Sequence, residues 1–187
     1  MAVTTLDPNT ALIVVDLQKG IVGDPAGGPI GEVVKHARAL ADAFRARRLP
    51  VVLVNVTGQA PGRTEQPRPG GPFPDGWADL IAELDQQPSD IVVTKRTWGA
   101  FATTDLEGRL KALGVTQVVI VGVATGTGVE ATARQAYEAG FNVTLAIDAM
   151  LDMRPEAHDY SVSRVFPRLG ETGATQDIIA LLDSRAS

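Results

Sequence analysis

Apolar residues in this chain fall into short unbroken runs separated by amphipathic stretches. The runs are ALIVVD at 11–16, VVLVNV at 51–56, DIVVTK at 90–95, VVIVGV at 118–123 and NVTLAID at 142–148. Each is bounded by turn chemistry and is too short for a one-sided helix, so each reads as a strand buried on both faces, as in a parallel sheet. Between the first two runs the period changes to that of a helix. Ile30, Val33, Val34, Ala37, Leu40, Ala41 and Phe44 share one face of a helix that begins near Pro29, carries Arg45, Arg47 and Arg48 in its last turn and stops at Pro50. Further helices are predicted at 104–113, from Val129 through Ala136, at 155–168 with Val162, Val165 and Phe166 inward, and at 177–182. Trp77, Leu80, Ile81 and Leu84 suggest a short helix, and GETGAT, beginning at Gly170, leaves room for a short sixth strand. Strands alternating with one-sided helices predict an α/β fold: a single domain over 1–187, built as a three-layer α/β/α sandwich around a parallel sheet.

Within this pattern one stretch organises the rest. Residues 116–140 read as a buried strand, a glycine-rich turn and a helix, with Gly122, Gly126 and Gly128 bracketing Thr125 and Thr127. Such a handover places backbone N–H groups at the carboxyl edge of a sheet, where open α/β folds bind ligands. Two other strands end in charge at the same edge, the first in Asp16 and the third in Lys95. Either residue has a bland alternative, a loop cap for Asp16 and a snorkelling chain for Lys95, but opposite charges on one rim mark a site candidate. Trp98 and Phe101 follow Lys95 in an aromatic turn and serve either as pocket walls or as core. The segment 57–76 is rich in proline and glycine, as befits a lid, a binding loop, an oligomer contact or a tolerated insertion. Asp148 is read as a structural cap, and His36 as a surface residue beside the apolar stripe.

Composition narrows the chemistry. A net charge of −5 with a pI near 5.0 argues against nucleic-acid and anionic-membrane surfaces, leaving small molecules or copies of the same chain as partners. No apolar stretch reaches membrane-spanning length and the amino terminus has no basic-then-apolar leader, so a cytoplasmic protein is expected. The chain has no cysteine, which removes disulfides, thiolate metal sites and thiol nucleophiles. Its two histidines, His36 and His158, supply a catalytic triad or a zinc site poorly.

In order along the chain, ALIVVDLQKG, VVTKRTWGAF, VVIVGVATGTGVEATARQAYEAG and NVTLAIDAMLDM resemble the isochorismatase-like hydrolases, a family that includes nicotinamidases, carbamoylsarcosine amidases and ureidoacrylate amidases. The resemblance covers nearly the whole chain. It implies a Rossmann-like fold with a six-stranded parallel sheet and a homo-oligomer, a dimer or larger. In the amidase branches an aspartate, a lysine and a cysteine do the work. They match Asp16, Lys95 and Gly128 here, so the nucleophile is missing and thioester chemistry is excluded. The resemblance also implies a cis Val123–Ala124 bond and an oxygen-binding set of backbone N–H groups over 124–128. The isochorismatase branch itself carries glycine at this position and protonates a vinyl ether with its aspartate, but its turn resembles GVYAHVG, whereas this chain has Ala124 and Gly126. Nicotinamidase-type members hold zinc with an aspartate and two histidines after the second strand; residues 57–77 contain no histidine, so neither metal nor cofactor is expected. Two functions remain open: a cysteine-less hydrolase using Asp16, Lys95 and the 124–128 turn, with Ala124, Thr125, Thr127, Trp98 and Phe101 around the substrate, or a non-catalytic binding or assembly protein that retains the fold. For Thr127 a helix-capping role competes with a site role.

Overall fold

The structure, a computed structural model, describes residues 3–66 and 71–184. Four residues of the 57–76 segment therefore lie outside the described part. The elements run β1 (Thr10–Val15), α1 (Lys19–Val22), α2 (Gly28–Ala46), β2 (Val51–Val56), β3 (Ile91–Lys95), α3 (Leu106–Ala112), β4 (Gln117–Val123), α4 (Glu130–Glu138), β5 (Asn142–Leu151), α5 (Pro155–Tyr160), β6 (Glu171–Gly173) and α6 (Thr175–Asp183). The six strands form one parallel sheet in the order β3-β2-β1-β4-β5-β6. The chain thus grows outward from β1 to one edge, returns to β4 beside β1 and grows to the other edge.

Alternate residues of the strands feed two cores. On one face Leu12, Val14, Leu53, Val119 and Val121 meet the α2 stripe and Ile178 and Leu182 of α6. On the other, Ile13, Val15, Val52, Val54 and Ile120 meet Leu106 and Leu110 of α3 and Ala133 and Ala136 of α4. The three-layer sandwich and the sixth strand are as the sequence predicts. Burial on both faces is why the strands read as continuous apolar runs and not as alternating ones.

Four local expectations change. The segment containing Trp77 and Leu84 forms only a 3-10 turn at Ala82–Leu84, because its backbone bonds sideways: Gly20 N–H donates to the Trp77 carbonyl, Lys19 N–H to Asp79 and Ile81 N–H to Leu17. Trp77 still holds the segment to the body, stacked on Phe73 with centroids 4.0 Å apart and lying over Gly20, where any Cβ would sit 2.0 Å from the indole. β5 extends to Leu151, since a register shift opposite β4 lets it skip forward and continue. The predicted helix over 155–168 divides into α5, a π-helical turn at Ser161–Val165 and a 3-10 turn at Phe166–Arg168. His36 is not a free surface residue: its Nδ1 lies 2.8 Å from the Asp148 carbonyl oxygen, pinning α2 to β5. Asp148 does cap, accepting bonds from both the N–H and the hydroxyl of Thr175 at the start of α6.

Candidate functional site

The reversal of strand order between β1 and β4 opens the crevice in which this fold class binds ligands, and the two charged strand ends meet there. β4 runs against the last residues of β1 at Gly122, which has φ +114°; a Cβ on it would sit 2.1 Å from the Val15 carbonyl oxygen, so only glycine permits the approach. Asp16 leaves β1 with φ +54°, a left-handed conformation uncommon for a residue with a side chain. β3 is separated from β1 by β2, and the long Lys95 chain spans that gap.

Lys95 Nζ donates to Asp16 Oδ2 at 2.7 Å and to the Thr97 carbonyl at 3.1 Å. Both residues are buried, Asp16 at 5% and Lys95 at 1% exposure. The second carboxylate oxygen, Asp16 Oδ1, is buried with no hydrogen-bond partner. An acceptor left unpaired inside a protein costs free energy on the order of 1–3 kcal/mol and calls for an explanation in terms of function. Burial is also the largest influence on the acid itself: it raises the Asp16 pKa from 3.8 to about 6, against the charge and hydrogen bond of Lys95, which pull it down.

After β4 the Val123–Ala124 peptide is cis, and residues Thr125–Val129 form a π-helical turn leading into α4. Gly128 faces Asp16: a Cβ built on it would lie 3.0 Å from Asp16 Oδ2, 3.1 Å from the Val123 carbonyl oxygen and 3.2 Å from Val15 Cγ1. The position matching the family's nucleophile is thus beside the aspartate, and it is too tight for a side chain unless its neighbours give way. Within 124–128 two N–H groups are already bonded, Gly126 to Asp152 Oδ2 at 2.8 Å and Thr127 to the Ala124 carbonyl at 3.1 Å, and Val129 at the end of the turn also donates to the Ala124 carbonyl, at 3.2 Å. The expected oxygen-binding set narrows to Ala124, Thr125 and Gly128. Thr127 caps nothing; its hydroxyl points back at the Ala124 carbonyl, 3.5 Å away, because the π turn and not a fresh helix start occupies this position. Thr125 is fully buried.

The aromatic pair separates. Phe101 is a core residue, tilted against Phe141 with centroids 5.9 Å apart, whereas Trp98 is 68% exposed on the rim beyond β3. Five supporting residues escaped the sequence reading. Gln18, fully buried, bonds both backbone groups of Val56 and holds the ends of β1 and β2 together. Thr132 donates to the Gly128 carbonyl and accepts from Ala100 N–H, and Gln135 accepts from Phe101 and Ala102, so α4 fixes both the turn and the loop after Lys95. Asp152 and His158 hold the turn from the far side. Only Gln18 had a local signal, its adjacency to Asp16; the others are polar residues whose partners are distant in sequence.

Cavities of about 720 and 630 Å³ open at the amino edge of the sheet, around Gln117 and Phe141 and around Arg45 and Leu113. Neither is lined by Asp16 or Lys95, so the site is located by buried charge and not by cavity size. Among the described residues, no three His, Asp or Glu side chains come together as a metal-holding group, and no helix is long and apolar enough to cross a membrane.

Comparison with known proteins bears on the fold. The family model described as the isochorismatase domain matches residues 10–177. An uncharacterized isochorismatase family protein of Escherichia coli O157:H7 is 40% identical over 181 residues, covering 92% of this chain and 96% of the relative. A ureidoacrylate amidohydrolase of Variovorax paradoxus is 34% identical over 171 residues, covering 75% and 68%. The solved structure of an isochorismatase family protein from Burkholderia thailandensis superposes with a TM-score of 0.89 at 40% identity, covering 96% of this chain and 98% of that one.

Proposed function

This chain belongs to the isochorismatase family of hydrolases, and from that premise we propose that it hydrolyses a small vinyl ether of the isochorismate kind, with Asp16 as general acid and no protein nucleophile. One observation carries the reading: the two oxygens of Asp16 have different surroundings, Oδ2 fixed by Lys95 at 2.7 Å and Oδ1 buried without a partner. An acid needs a free oxygen to carry its proton to substrate, and it needs burial to keep that proton near neutral pH.

In the proposed reaction, Asp16 Oδ1 transfers its proton to the terminal enol carbon, forming a C–H bond and leaving an oxocarbenium ion at the ether carbon. Water adds to that carbon, and its released proton returns to Asp16. The resulting hemiketal breaks its C–O bond to give an alcohol and a keto acid, pyruvate in the case of isochorismate. Lys95 binds the substrate carboxylate, which offsets its own pull on the Asp16 proton. Backbone N–H groups of Ala124, Thr125 and Gly128 face the oxygen that gains negative charge as the hemiketal C–O bond breaks, with Trp98 on the rim. A Gly128 side chain would press on Asp16, so in this reading glycine belongs to the acid site. Homo-oligomeric assembly is part of the same proposal, supported by the exposure of Trp98, Tyr160 and Met153 beyond the carboxyl ends of the strands; a cytoplasmic location is proposed with it.

The second reading, a binding protein without turnover, is favoured by the near-complete closure of Asp16 and Lys95 from solvent. Assay of pyruvate release from isochorismate separates the two. The acid reading expects release, its loss in Asp16→Ala, and a kcat/KM that falls tenfold per pH unit above about 6, since the acid works only while protonated. No turnover of vinyl ethers, amides or carbamoyl compounds, with unchanged ligand binding in Asp16→Ala, establishes the binding protein instead.

A further inference from the structure

The segment after β5 grips the π-helical turn from the side opposite Asp16. Asp152 Oδ2 accepts the Gly126 N–H at 2.8 Å, His158 Nδ1 lies 2.9 Å from Thr125 Oγ1, and Ser161 Oγ donates to Glu130 Oε2 at 2.6 Å. α5 closes directly onto the turn: a Cβ on Gly126 would be 3.2 Å from Ala157 Cβ. On its other side the same turn presents Gly128 to Asp16 Oδ2. π turns are rare single-turn features frequent at functional sites, and this one is gripped from outside by Asp152 and His158. The Thr125–His158 bond is the contact nearest the start of the turn. Thr125 is fully buried, and without His158 its hydroxyl would be left unpaired. Losing this bond from either partner releases the turn from α5, and the wall it makes against Asp16 shifts with it.

We propose that His158 is a positioning residue of the candidate site, acting through Thr125 to hold the 124–128 turn against Asp16 and keep water from its carboxyl group. The inference rests on reading Asp16 as the acid centre, but it concerns how that acid is kept dry and can be tested without turnover. Lys95 is the ionisable partner that acts directly on Asp16, while Asp152 and Glu130 face the turn from the same side as His158.

The test is a carboxyl-carbon NMR titration of Asp16 in the full chain, run on wild type, His158→Ala, His158→Gln, Thr125→Val and the double variant His158→Ala/Thr125→Val, with melting temperatures in parallel. The midpoint is expected to fall in His158→Ala and in Thr125→Val as water reaches Asp16, to recover in His158→Gln, whose amide restores a bond to Thr125, and to show no further fall in the double variant. The sign is diagnostic, because removing a positive charge from beside a carboxyl group by itself raises its midpoint. A lower melting temperature with an unchanged Asp16 midpoint makes His158 merely structural and overturns the proposal. Should His158→Ala not fold, Thr125→Val decides alone, and an unchanged midpoint there overturns it equally. Absence of vinyl-ether hydrolysis leaves this titration readable, so the two readings fail separately.

Discussion

Two ion pairs in this molecule, one part-buried and one buried, each join an aspartate to a basic side chain and have opposite completeness. At the amino edge of the sheet, Asp90 Oδ1 and Oδ2 accept Nε and Nη2 of Arg45 at 3.1 and 2.6 Å, and Oδ2 also accepts the Gln87 N–H at 2.8 Å. Neither Asp90 oxygen is left without a partner. At the carboxyl edge, Asp16 meets Lys95 through one oxygen only, and the other is orphaned. Arginine's planar fork can satisfy both oxygens of a carboxylate, whereas lysine's ammonium is a point donor and leaves one free. The Asp90 pair has no acceptor left over, whereas the Asp16 pair has one, which is the oxygen the proposed reaction uses.

Substitution of the two aspartates tests that contrast most sharply. Asp16→Asn is expected to cost turnover on the order of 10²–10⁴-fold, the range for loss of a general acid, with the chain still folded by circular dichroism. Asp90→Ala is expected to leave the pH profile unchanged but to destabilise the fold by about 1.5–3 kcal/mol in urea, because Arg45 loses its charge-assisted bonds to Asp90 and keeps only Asp42 and the Leu84 carbonyl. If Asp90→Ala abolishes activity at full stability, or Asp16→Asn unfolds the chain, the division between structural and working pairs collapses.

Smaller effects sharpen it. The Asp16 pKa in the folded chain, about 6, lies above its ordinary 3.8. Between those values the folded chain holds a proton that the unfolded chain has released. The resulting stabilisation, up to about 3 kcal/mol, is complete below about 3.8 and is lost as pH rises through about 6. Urea titrations across this window should show that slope in wild type and its absence in Asp16→Asn. Gly128→Ala is expected to cost about 1–3 kcal/mol, the usual range for overpacking, because its Cβ meets Asp16, Val123 and Val15 at once. Gly128→Cys meets the same crowding, so amidase activity in that variant would mark the pocket as a disarmed amidase site whose neighbours yield. Lys95→Met removes both the cation that lowers the Asp16 pKa and the proposed contact to the substrate carboxylate, so kcat/KM falls and its descending limb moves to higher pH.

Much of this was legible before folding. The unbroken apolar runs, the helix periods and the turn after Val123 place the strands, the layers and the working edge, since each is a local pattern repeated along the chain. Asp16 and Lys95 stand out because each ends such a run. Phe101 did not separate from Trp98, because adjacency in sequence does not say which ring meets Phe141 in the core. The short helix expected around Trp77 failed for a related reason: its apolar residues anchor a segment whose backbone pairs sideways with residues 17–20, not along a helix.

By itself the sequence determined the parallel α/β sheet and the absence of any thiol, and it singled out Asp16 and Lys95 as the charged strand ends of a candidate site. Tertiary structure alone decided that Lys95 would reach Asp16 from a strand 79 residues away in sequence, that one carboxylate oxygen would remain unpaired, and that His158, 33 residues beyond Thr125, would grip the turn. The physical reason is range. Burial periodicity is set by neighbours a few residues apart, but whether a buried polar atom is satisfied depends on every chain segment that packs around it.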